Sequence, residues 1–200
     1  MLDLCMRANH PWVQLVVGRR GSGKSQTISR ILCDWPTHEL GTTLAIDFVA
    51  TDPPLPEHCA AWATRWRASA PDELHPDVGL VACDEATLVL TGTREEKPLF
   101  RELFLRGRHR GPLRPDGRPR GISVLMGTQR PKDLPQAAFT QADRVVIHCV
   151  QGVHDLQRLS ELPGMTDEAL RMVECLPPGY AVIWDARAGL FLPEVPEWRR

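Results

Sequence analysis

Lysine is nearly missing from this chain. Of its 24 basic residues only Lys24, Lys97 and Lys132 are lysines, and the other 21 are arginines. A GC-rich coding sequence would explain that bias, with high growth temperature as a further contributor, and the bias makes the position of each remaining lysine informative. No stretch approaches the ~20 consecutive apolar residues of a membrane span, and residues 1–11 contain no signal-peptide core. A cytoplasmic protein is therefore expected. No two of the six cysteines have CxxC spacing, which argues against a zinc site or a redox pair. Cys33, Cys83 and Cys149 sit in apolar runs and read as buried thiols. Neither sign of charge dominates: 24 basic residues face 25 acidic ones. Bulk charge thus gives no case for nucleic acid, and any such contact must come from a local patch. What remains is an ordinary globular composition, 42% hydrophobic over 200 residues, expected to form one domain over 1–200 with its core at about 12–187.

Short apolar runs alternate with helical patterns. Trp12 to Val17, Thr43 to Phe48, Val78 to Cys83, Ile122 to Met126, Arg144 to Val150 and Tyr180 to Trp184 read as strands. Ser25 to Trp35, Leu55 to Ser69, a segment starting near Pro98 with a stripe of Leu99, Phe100, Leu103 and Phe104, His154 to Leu162 and Thr166 to Leu176 read as helices. Thr166 is placed to cap the last of these. Gly107 to Gly121 reads as an irregular loop, and Leu190 to Arg200 as a proline-broken tail or edge strand. Such alternation predicts an α/β fold with a mainly parallel sheet covered on both faces.

Three strand ends carry chemistry. Gly18-Arg19-Arg20-Gly21-Ser22-Gly23-Lys24-Ser25 satisfies G-x-x-x-x-G-K-[ST] between a strand and a helix. Its glycines let successive N–H groups turn toward phosphate oxygens, and the helix adds its positive end. Lys24 is placed for the β- and γ-phosphates, and the Ser25 hydroxyl for Mg²⁺. The run ending in Asp84-Glu85 delivers two carboxylates where open α/β sheets bind ligands. Asp84 suits the metal and Glu85 suits a general base acting on water. The run ending in Gly127-Thr128-Gln129-Arg130-Pro131 offers an amide that can sense a γ-phosphate or orient water without titrating.

Together these motifs resemble the HerA/FtsK superfamily of P-loop motor ATPases, whose ATQRP motif is close to Gly127-Thr128-Gln129-Arg130-Pro131. Ala142-Asp143-Arg144-Val145-Val146-Ile147 is similar to its next strand, and Pro178-Gly179-Tyr180-Ala181 to its late PPG turn. The likeness runs from Trp12 to about Arg187. It implies a three-layer, additional-strand catalytic-glutamate fold in which the strand bearing Gln129 separates the P-loop strand from the Asp84-Glu85 strand. It also implies MgATP as cofactor and a homo-oligomeric ring, pentamer or hexamer, with sites between subunits. An arginine from the neighbouring subunit completes each site, and Arg144 matches its place, with Arg110 as the runner-up. The absence of further segments is most like the genome-packaging ATPases of tailless icosahedral viruses with an internal membrane. No Asn-Lys-x-Asp motif follows the P-loop, which disfavours a GTPase.

Arg106, Arg108, Arg110, Arg114, Arg118 and Arg120 lie within fifteen residues beside one acid, Asp116. Arginines in a Gly/Pro-rich segment can follow a phosphate backbone without reading bases. Arg114, Arg118 and Arg120 are thus candidates for contacting double-stranded DNA. The expected function is an ATP-driven DNA translocase that packages a viral genome, in the host cytoplasm and at a virion vertex, with capsid or membrane-vertex proteins as further partners. A cellular or plasmid HerA/FtsK-type translocase, and an ATP-dependent assembly switch that moves no DNA, remain as alternatives.

Overall fold

A computed structural model describes residues 10–46, 77–86, 103–104 and 106–194. The helix expected at Leu55 to Ser69, and the start of the one expected near Pro98, lie outside the described residues. Among the described residues, seven strands form one sheet in the order β2-β3-β4-β1-β5-β6-β7. β1 (Val13–Val17), β2 (Thr42–Ile46), β3 (Val78–Cys83), β4 (Ser123–Thr128) and β5 (Arg144–Ile147) run parallel. β6 (Ala181–Asp185) and β7 (Gly189–Glu194) extend the sheet antiparallel. The C-terminal stretch expected as a tail or edge strand is therefore a paired strand as far as Glu194.

Every residue of β3 and β4 is buried, as a central parallel strand covered on both faces requires. The alternation along β1 divides the core. Leu15 and Val17 join a large cluster with Val81, Val124, Val145, Leu159 and Val173. Val16 joins Ile28, Ile31, Leu32 and Trp35 on the other side. The first cluster includes residues of α3 (Gln136–Thr140), α4 (Val153–Ser160) and α5 (Asp167–Glu174). The second is capped by α1 (Lys24–Cys33), followed by the short α2 (Thr37–Leu40). Thr166 caps α5 as expected, its Oγ1 accepting from Ala169 N at 3.2 Å.

Two strand bounds differ from expectation in ways that matter for the site. β4 runs on to Thr128, so its last hydroxyl belongs to the sheet. β5 stops at Ile147, because the Cys149 carbonyl turns away to accept the Arg19 N–H at 2.8 Å.

The arginine-rich stretch is not irregular. It forms a 3₁₀ turn at Gly107–His109 and then a short hairpin in which Leu113 bridges Pro119. Arg114 N donates to Arg118 O at 2.8 Å and Arg120 N to Pro112 O at 2.7 Å. The tip Arg114-Pro115-Asp116-Gly117 is closed by Gly117 N donating to Arg114 O at 2.9 Å, with Gly117 at φ 77°. Proline at the second position and a left-handed glycine after the turn are what a hairpin of this length needs. The hairpin leads into the N-terminal end of β4, whereas the expected phosphate site lies at the C-terminal ends of the parallel strands.

Candidate phosphate and metal site

The loop between β1 and α1 is held on three sides by backbone bonds. Gly18 N donates to Thr128 O at 3.1 Å, Arg19 N to Cys149 O at 2.8 Å, and Gly179 N to Ser22 O at 2.8 Å. The Pro177-Pro178-Gly179 turn thus has a mechanical purpose, to pin the phosphate loop from the β6 side. Gly23, at φ 109°, takes the backbone into α1, where a side chain would be strained. Arg19 is exposed and donates through Nη1 to Gln151 Oε1 at 2.6 Å. Arg20 and Gly21 are exposed at the loop's crest.

Lys24 opens α1 and is only 6% exposed. Burial lowers its pKa, opposed by the carboxylates of Asp84 and then Glu85. Ser25 Oγ donates to Asp84 Oδ2 at 2.8 Å. Asp84's other oxygen, Oδ1, is buried with no hydrogen-bond partner among the described residues. Burial raises the Asp84 pKa; the Ser25 bond and the Lys24 charge pull it down, and Glu85 pushes it up. An orphaned carboxylate oxygen beside a serine hydroxyl is a donor set that suits a hard divalent cation. Ser25 and Asp84 therefore fit Mg²⁺.

Glu85 is half-buried and accepts from Thr128 Oγ1 at 3.3 Å. Gln129, the next residue, is exposed at the end of β4. Arg130 beside it pairs with Asp133 at 3.6 Å. β4 lies between β3 and β1. The Asp84-Glu85 pair thus faces the phosphate loop across the strand bearing Gln129, the arrangement the superfamily resemblance implies.

No protein-family model matches the sequence, and no curated sequence matches it at a significant level. Solved structures do match. The DNA-packaging ATPase B204 of Sulfolobus turreted icosahedral virus superposes with a TM-score of 0.66 at 18% identity, covering 94% of this chain and 99% of that one. B204 of Sulfolobus turreted icosahedral virus 2, in complex with ATP-gammaS, gives 0.66 at 18% identity over 96% of this chain and 99% of that one. The fold is that of a P-loop NTPase. The cytoplasmic domain of the type VII secretion ATPase EccC from Thermomonospora curvata shares it at a TM-score of 0.57 and 15% identity, with 94% of this chain matching 24% of that one.

His148 belongs to the site and sequence reasoning missed it. It is fully buried, with Nε2 2.9 Å from Thr27 Oγ1 and Nδ1 2.8 Å from the Tyr180 carbonyl. A carbonyl only accepts, so Nδ1 carries the proton and Nε2 accepts from Thr27. The ring joins α1, β5 and the Pro177–Gly179 turn directly behind the phosphate loop. Burial lowers its pKa to about 4; the Tyr180 bond opposes this and the Lys24 charge adds to it. A lone histidine among Ile147, Cys149 and Val150 was the only available signal.

Arg144 lies at the start of β5, opposite the strand ends that carry the phosphate loop. Its Nε and Nη2 donate to Asp185 Oδ2 at 3.3 and 3.1 Å, and both side chains are largely buried. Asp185 also accepts the Arg187 and Ala188 N–H groups through Oδ1. Arg144 therefore holds the β6–β7 turn. Arg110 follows the 3₁₀ turn that precedes the arginine hairpin. Arg114 and Arg120 are half-exposed and Arg118 is exposed.

Proposed function

We propose that this chain is an ATP-hydrolysing motor that moves double-stranded DNA, acting in genome packaging. The observation that carries the proposal is the sheet order β3-β4-β1, in which the strand ends that bear Glu85 and Gln129 lie beside the one that bears the phosphate loop. Bound Mg²⁺ would supply charge to the β- and γ-phosphate oxygens, held by Ser25 and the free oxygen of Asp84. Lys24 binds the same phosphates. Its burial strengthens that attraction, because little water competes. Glu85 takes a proton from the attacking water, and Gln129 orients that water or the γ-phosphate with an uncharged amide. The packaging assignment takes support from the near-complete mutual coverage with the B204 ATPases.

DNA is gripped by the arginine hairpin, whose pre-formed turn presents Arg114 and Arg118 without a large ordering cost. Subunits assemble as a ring, and Arg144 acts in trans once docking draws it from Asp185. Hydrolysis assays with and without double-stranded DNA test the proposal. DNA-stimulated turnover that Glu85→Gln removes supports a motor. Nucleotide binding without turnover supports an assembly switch instead.

A further inference from the structure

We propose that Thr128 is a positioning residue that joins the Gln129 turn to Glu85. The proposal rests on the ATPase reading above. Thr128 ends β4 and is completely buried. Its carbonyl accepts the Gly18 N–H of the phosphate loop at 3.1 Å. Its hydroxyl accepts the Arg130 N–H at 3.1 Å and donates to Glu85 Oε1 at 3.3 Å. A hydroxyl has one proton and two lone pairs. The Arg130 N–H can use only a lone pair, and a carboxylate only accepts, so the hydroxyl is the donor in its bond to Glu85.

A buried central strand has no need of this hydroxyl. Valine has the same shape and suits a β-strand as well. Closing the turn at Arg130 N explains the accepting side of the oxygen but leaves the donated proton unexplained. The Thr128–Arg130 bond spans Gln129 and fixes the backbone from which that amide projects. One hydroxyl therefore sets the direction of the base and the position of the γ-phosphate sensor together. A shift in the Gln129 turn moves the Thr128 oxygen, and Glu85 follows.

Steady-state hydrolysis by Thr128→Val, Thr128→Ser and Gln129→Ala tests this. Thr128→Val should lower kcat by roughly 10- to 100-fold, the scale of a misplaced reacting group, with the KM for MgATP within about threefold. Thr128→Ser keeps the proton and should stay within about threefold of the parent. The Thr128→Val/Gln129→Ala double variant should lose less than the product of the two single losses, because the two residues act as one unit. If Thr128→Val does not fold, Thr128→Ala set against Thr128→Ser makes the same comparison. A parent-like kcat without the hydroxyl, a serine variant as slow as the valine one, or multiplicative losses would each overturn the assignment and leave the ATPase reading intact. A parent protein that turns over no ATP would overturn both.

Discussion

Acid should destabilise the fold through His148, the imidazole packed behind the phosphate loop. In the unfolded chain this imidazole binds a proton near pH 6.5; in the folded protein it does so only near 4. Between those values the unfolded state holds the extra proton, so falling pH favours unfolding. The contribution is fully present above about pH 6.5 and is lost as pH falls through 4. At roughly 1.4 kcal/mol per pH unit, the separation amounts to about 3 kcal/mol, a large share of a typical domain's stability. The cause is local: a protonated Nε2 can no longer accept from Thr27, and the new charge sits buried near Lys24. Urea unfolding at several pH values between 4 and 8 should be run on the parent protein and on His148→Asn. The asparagine keeps a donor toward the Tyr180 carbonyl and cannot titrate. Other groups titrate alike in both proteins and cancel in the difference. The parent should lose about 3 kcal/mol more than the variant between pH 7 and 4. Parallel pH profiles, or a His148 ring signal titrating above pH 6 in NMR, would refute the reasoning.

Lys24→Ala should lose nucleotide binding, whereas Glu85→Gln should bind nucleotide and lose hydrolysis by roughly 10²- to 10⁴-fold, the usual worth of a general base; calorimetric binding and phosphate release separate the two. Replacing Arg114, Arg118 and Arg120 with serine should flatten the slope of log binding constant against log salt by about two to three, at about 0.9 per phosphate contact, measured by DNA titration. Arg144→Ala should cost on the order of 2 kcal/mol in urea unfolding, because it leaves Asp185 largely buried without its ion partner. In rings mixed with Lys24→Ala subunits, recovered hydrolysis would assign Arg144 a role in trans, and no recovery in rings shown to be mixed would deny it one.

The strands and the phosphate loop were legible because each rests on a local pattern. Val78 to Cys83 is an uninterrupted apolar run, and β3 occupies those residues. Gly18 to Ser25 carries its own geometry in its glycines. The hairpin at Pro112 to Arg120 was equally local, since Pro-Asp-Gly is a turn signature, but the density of arginine and glycine there suggested an irregular loop. Other features could not be read locally. The pairing of Arg144 with Asp185 needs the β5–β6 register, and nothing in either segment announces it. The partners of His148 come from residues 121 positions earlier and 32 later. The Thr128 hydroxyl gains meaning only from Glu85, which lies 43 residues away in the chain and beside it across the sheet.

β4 ties the proposed DNA grip to the proposed chemistry. The arginine hairpin enters it at Ser123, and its far end carries Thr128 and Gln129. At about 3.3 Å per residue the two ends lie about 17 Å apart. β4 is hydrogen-bonded on both sides, to β3 and to β1, and is buried throughout, so a displacement at one end would be passed on more than absorbed. If Gln129 senses the γ-phosphate, a small change there on its loss would have a direct path to the hairpin. On the proposed function, the reverse path would let DNA act on Glu85 through Thr128. Serine substitution in the hairpin should then leave basal hydrolysis intact and remove only its stimulation by DNA. Thr128→Val should lower both. Stimulation that survives in a hairpin variant shown to have lost its salt-dependent DNA contacts would mean that DNA signals to the site by another route, through the subunit interface and not along β4.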